Sequence, residues 1–205
     1  MKRHLGKRTL VSLVGLILCG VGVALFLYSS LGVDPASVFE LGIANVLHIS
    51  YGTSSALINV IILTIVFVID KTYVNISSVL AIFGIGYTAD LVRMFLNMLI
   101  PGNLNLVVKI LLVFLGLMIM AVGIATYIRA DLGVGAIDLI SEIISRKGNL
   151  QYRSVRIAGD ISFVVIGSFL GGTVGLGTIV AAFLTGPAVQ FVRPGVHKVV
   201  DKMIG

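Results

Sequence analysis

The sequence predicts an all-α polytopic membrane protein: about six transmembrane helices as a 3+3 inverted repeat, with a short re-entrant or interfacial helix in each half. Three observations predict it. Of the 205 residues, 58% are hydrophobic and only 12% charged, with a mean hydropathy of +1.10, whereas soluble domains carry about 25% charged residues. A soluble domain of this size would leave too much of that apolar surface in water. Six apolar stretches are long enough, or nearly so, to cross a hydrocarbon core of about 30 Å. Finally, the second half of the chain matches the first when slid over it.

The first stretch, residues 10–28, follows a basic start of Lys2, Arg3, Lys7 and Arg8. It is longer than an ordinary signal-peptide core, and Leu18 before Cys19 is too large for a lipoprotein cleavage site, so it reads as a retained span. Leu31-Gly32-Val33-Asp34-Pro35 then breaks the helix. Asp34 suits an N-cap and Pro35 a first helical position, opening a short polar helix over 36–50 that carries Glu40, Asn45 and His48. A turn at Tyr51 leads to spans at 54–69 and 76–99.

The second half repeats the plan. A span at 106–128 ends in the break Leu132-Gly133-Val134-Gly135, and a short helix over 136–148 carries Asp138, Glu142, Arg146 and Lys147. Spans follow at 155–171 and 176–192. Both short helices are too short and too polar to cross lipid. The chain is thus one membrane domain over 1–205, with repeat 1 at 10–100, repeat 2 at 106–193 and a cytoplasmic tail at 194–205.

The match between halves rests on residues that chance does not supply easily. Gly15, Gly22, Leu31, Gly32, Val33 and Tyr51 fall on Gly116, Gly123, Leu132, Gly133, Val134 and Tyr152, and Asn59 falls on Asp160. After a one-residue slip, Ala81, Phe83, Gly86 and Arg93 fall on Ala181, Phe183, Gly186 and Arg193. An odd number of crossings per unit inverts the second copy, a plan common among secondary transporters. With a cytoplasmic N-terminus, every Lys and Arg lies inside except Lys109 and the within-span Arg93. Eight spans satisfy the charge rule equally well, and helix length favours six.

The formal charge of +6 sits in short clusters beside apolar runs, with no basic stripe interleaved with aromatics, so nucleic acid is not expected as a partner. Cys19 is the only cysteine, and His4, His48 and His197 lack zinc spacing. No hydrolase, metalloprotease or P-loop motif is present. The expectation is therefore no enzyme, no metal and no cofactor.

Broken backbone at membrane depth is tolerated only where protein or a wet cavity satisfies it, and matched breaks point to a solute site. Gly32, Asp34, Pro35, Gly133, Gly135 and Asp138 are candidates on that ground; an ordinary surface loop with a capped interfacial helix is the structural alternative, since residues 10–28 can reach the surface before Gly32. Asn59 and Asp160 join them as a matched amide and carboxylate, since a carboxylate within a span is costly unless paired or hydrated; an Arg156–Asp160 pair is the structural alternative. Glu40, Tyr51, Thr53, Glu142, Tyr152, Arg153 and Arg156 form a supporting polar network. Asp90 and Arg93 are expected to pair at i,i+3.

These features predict a secondary transporter of a small polar or charged solute, with protons or Na+ as candidate coupling ions. The lipid bilayer is its surroundings and a homo-oligomer is left open. A passive channel and a non-transport partner of another membrane protein are the alternatives.

The sequence resembles the YczE/YyaS/YitT group of bacterial multi-pass membrane proteins over roughly residues 15–192. YczE-like members carry a glycine break followed by Pro-Trp-Asp. Here Gly32 and Pro35 keep the Gly and Pro, and Gly133 and Asp138 keep the Gly and Asp, while the Trp is absent. Gly52-Thr53 and the stretch from Gly175-Leu176-Gly177-Thr178 to Gly186-Pro187 resemble further family motifs. The resemblance implies a bacterial cytoplasmic-membrane protein with a duplicated fold, and names no substrate.

Overall fold

The computed structural model describes residues 5–71, 74–100, 104–133 and 135–204; Val134 and the side chain of Asp138 lie outside the described residues. Among these, all regular structure is helical: α1 Leu5–Ser29, α2 Pro35–Leu47, α3 Tyr51–Asp70, α4 Ile76–Gly84, α5 Gly86–Leu99, α6 Leu106–Ala130, α7 Ala136–Gly148, α8 Tyr152–Phe169 and α9 Leu176–Ile204. Five segments are long and apolar enough to cross a membrane: α1, α3, the α4–α5 pair, α6 and α9. The sixth expected span forms as α8. Arg153, Arg156 and Asp160 within its 18 residues make it more polar than the other five.

The short helices form where the breaks predict them, each of 13 residues, or about 20 Å at the rise of an α-helix. Asp34 Oδ2 accepts the Ser37 amide at 3.2 Å, and Pro35 occupies the first helical position. Gly32 and Gly133 have φ of +104° and +105°, a region that excludes most side chains. The two halves agree further: Ser30 and Asp131 have φ of 55° and 54°, and His48 and Asn149 close α2 and α7 in the left-handed region.

At the centre, α1 and α6 run antiparallel with backbones in contact. A Cβ on Gly22 would lie 2.7 Å from the Gly116 carbonyl oxygen, and one on Gly123 would lie 2.6 Å from that of Gly15. Because Gly15 and Gly22 correspond to Gly116 and Gly123, matched residues make the same contact twice. Small residues allow membrane helices this approach, which lipid alone would not drive.

The α4–α5 pair lies alongside α1, with Ser12 Oγ 2.6 Å from Ser77 Oγ. Helix α9 lies alongside α6, where Val11, Ala130 and Val200 pack together. Ion pairs Arg129–Asp201 at 2.7 Å and Arg8–Asp131 at 3.5 Å bring the start of α1 and the ends of α6 and α9 to one end of the molecule. At the other end the Tyr28 hydroxyl donates to the Ile100 carbonyl.

Each break is held by the half it does not belong to. The Leu31 carbonyl accepts the Gly177 amide at 2.8 Å, and the Leu132 carbonyl accepts the Ser77 amide at 3.1 Å. Gly177 opens α9 and Ser77 opens α4, so exposed carbonyls of each break meet the unsatisfied first-turn amides of a distant helix.

Candidate functional site

Burial of polar groups concentrates at the α2–α3 hairpin. The Tyr51 hydroxyl donates to Glu40 Oε2 at 2.7 Å and lies 2.9 Å from Ser37 Oγ. Ser54 Oγ donates to the Glu40 carbonyl at 2.6 Å. Asn59 Nδ2 reaches the Ser55 carbonyl at 2.8 Å and Ser55 Oγ at 3.3 Å. All of these side chains are buried. Glu40 has no ion pair among the described residues, and Oδ1 of Asp34 is buried without a hydrogen-bond partner. A carboxyl, a phenol and hydroxyls thus form a continuous hydrogen-bonded chain.

The corresponding positions in the second half are arranged differently. Tyr152 is 45% exposed where Tyr51 is 3%. Ser141, in the place of Glu40, points its hydroxyl at its own helix, toward the Ile137 carbonyl at 3.4 Å. Arg156 pairs with Asp160 at 3.2 Å, and Glu142 with Arg146 at 2.7 Å. Arg153 is exposed, as is Thr53 in the first half, whose hydroxyl meets Ser50 Oγ at 3.0 Å. Asp138 was expected at this site, and its side chain lies outside the described residues.

Asn59 and Asp160 are not brought together, because α3 and α8 share no packed interface. Instead α2 packs on α8, with Gly42 against the Gly167 carbonyl and Phe39 5.4 Å from Phe163. Gly32, Asp34 and Pro35 lead directly into the Glu40 network, and Gly133 and Gly135 lead into α7.

The halves also differ in closure. Helix α3 packs on α4 and α5: a Cβ on Gly86 would lie 2.9 Å from the Gly52 Cα, and the Asp90 carboxylate accepts the Gly52 amide at 2.8 Å. The expected Asp90–Arg93 ion pair is absent among the described residues. The orphan amide in the first turn of α3 takes the carboxylate instead, a position favoured by the helix dipole. No comparable interface joins α8 to α9, and a Cβ on Gly186 would meet nothing within 4 Å.

Long apolar helices packed through glycines around an enclosed carboxyl define a polytopic α-helical membrane protein. The chain belongs to the family of unknown function DUF6198, whose family model matches residues 6–194. It is 27% identical to the uncharacterized membrane protein YczE of Bacillus subtilis, over 95% of this chain and 89% of that one. It is 30% identical to an uncharacterized protein of Haemophilus influenzae, over 90% and 83% of the two chains. Identity to the uncharacterized protein YyaS of Bacillus subtilis is 23%, over 90% and 92%. The resemblance to YczE and YyaS is borne out. No solved structure matches the chain.

Proposed function

We propose that the chain is a secondary transporter of a small polar or charged solute across the bacterial cytoplasmic membrane. Its two halves are inserted upside down relative to each other, with both termini in the cytoplasm. The observation that carries the reading is the reciprocal docking of Leu31 on Gly177 and of Leu132 on Ser77. Interrupted helices at matched positions of two halves are a feature of inverted-repeat transporters. The unequal closure of α3 on α5 and of α8 on α9 supports it further, because two matched gates in different states are what alternating access requires.

In this reading the solute path runs beside α2, with Asn59 and Asp160 as matched polar positions of α3 and α8. Glu40, Tyr51 and Ser37 form the coupling element. An ionisable group held inside such a bundle is expensive and marks a functional path.

The test is uptake into proteoliposomes of compounds that raise the melting temperature of the purified protein. Saturable uptake driven by a proton gradient, with Glu40→Gln removing the gradient dependence, supports the proposal. Flux linear in concentration indicates a channel. Absence of flux with a stoichiometric co-purifying protein indicates an accessory subunit.

A further inference from the structure

Two cations escape the charge bias of the loops, Arg93 in α5 and Lys109 in α6. The fold brings them to one place. Together with Tyr28, Ser30 and Asn97 they line a cavity of about 200 Å³ at the end of the molecule away from the start of α1. Arg93 and Ser30 also line a neighbouring cavity of about 180 Å³, which Gly32, Asn45 and Thr173 complete. Among the described residues, no Asp or Glu lines either cavity.

Tyr28 and Asn45 donate to the Ile100 and Gly171 carbonyls; the other donors here are free. Among the described residues, the side chains of Arg93, Lys109, Asn97, Ser30 and Thr173 make no hydrogen bond or ion pair. Asp90, one turn from Arg93 and its natural partner, is committed to the Gly52 amide. Two like charges around one cavity repel unless a counter-charge enters. A guanidinium presents a planar fork that matches carboxylate and phosphate oxygens, and an ammonium adds a point charge. Phe26, Leu27 and Val33 also line the smaller cavity.

We infer that this double cavity binds an anionic group, a carboxylate or a phosphate, carried by a soluble solute or by an anionic lipid headgroup. That the anion is the cargo rests on the transporter reading; that it binds does not. The site adjoins the Gly32 break, so an anion held here lies against the segment that α9 closes.

The experiment is thermal unfolding of the full chain in phosphatidylcholine nanodiscs, with inorganic phosphate or succinate compared with sodium chloride of equal ionic strength. Either anion should raise the melting temperature. The rise should vanish in Arg93→Gln and Lys109→Gln and persist in Arg193→Gln, the matched arginine, which lines neither cavity. If soluble anions have no effect but phosphatidylglycerol in the nanodisc stabilises the protein, and the same two substitutions abolish that effect, the anion is a headgroup. No stabilisation by either source, or one that survives both substitutions, overturns the inference. Where Arg93→Gln fails to give a monodisperse protein, Lys109→Gln decides alone. Stabilisation by an anion that proteoliposomes do not take up would leave the site standing and rule that anion out as the cargo.

Discussion

The Asp90 carboxylate accepts the Gly52 backbone amide at 2.8 Å, tying α5 to the first turn of α3. Charged hydrogen bonds of this kind contribute about 1.5–3 kcal/mol. Asp90→Ala should lower stability by roughly that amount in denaturant unfolding in mild detergent. Arg93→Ala should stay within about 0.5 kcal/mol of the parent, as expected for a side chain without an ion pair. Equal losses in the two variants would restore the Asp90–Arg93 pair as the relevant contact.

Tyr51 and Tyr152 occupy matched positions and should respond unequally. Tyr51→Phe strips a buried carboxyl and a buried serine of their shared partner, a loss of about 1–3 kcal/mol. Tyr152→Phe alters a ring that is 45% exposed and should cost less than Tyr51→Phe. A double-mutant cycle of Tyr51→Phe with Glu40→Gln should return a coupling of about 0.5–3 kcal/mol. Additive effects would mean that the 2.7 Å contact contributes nothing.

The matched glycines Gly86 and Gly186 provide a test of unequal closure. Gly86→Ala drives a methyl into Gly52 and Ser55 and should destabilise by about 1–3 kcal/mol, the usual cost of overpacking. Gly186→Ala meets open space and should cost nothing. Melting temperatures of the two purified variants decide it, and a comparable fall in both would show that α8 and α9 close on each other in the membrane.

Lys71 ends α3 and Lys109 lies in the first turn of α6. The proposed inversion of the halves would place them on opposite faces of the bilayer. Membrane-impermeant amine labelling of sealed, oriented vesicles should therefore modify only one of them, read by peptide mass. Modification of both from one side would remove the inverted arrangement.

Much of the fold is legible in the sequence because its signals are local. A glycine where φ must be positive, an Asp-Pro that starts a helix and runs of lipid-compatible residues each act within a few positions, so Gly32, Asp34 and Gly133 can be placed without a structure. The site is less legible. Comparing the halves directs attention to Asn59 and Asp160, because they match, whereas Glu40 has only Ser141 opposite it and gains its surroundings from Tyr51, which crosses from the next helix. The i,i+3 spacing of Asp90 and Arg93 suggested an ion pair, since sequence spacing contains no information about a helix start elsewhere in the chain. The convergence of Arg93 and Lys109 depends on packing between helices in the same way.

The exchange of hydrogen bonds between halves has a consequence for how the protein is made. The Leu31 carbonyl finds its partner only when the amide of Gly177, made long after it, arrives. The first break must wait in the bilayer, its polar atoms served by water or by the insertion machinery, until the last helix is threaded. A chain stopped after α8 would hold an unclosed Gly32 turn, and quality-control proteases that survey membrane proteins would meet it in that state. Closure of the first break is therefore a late event, whereas the Leu132 carbonyl meets an amide, that of Ser77, made before it.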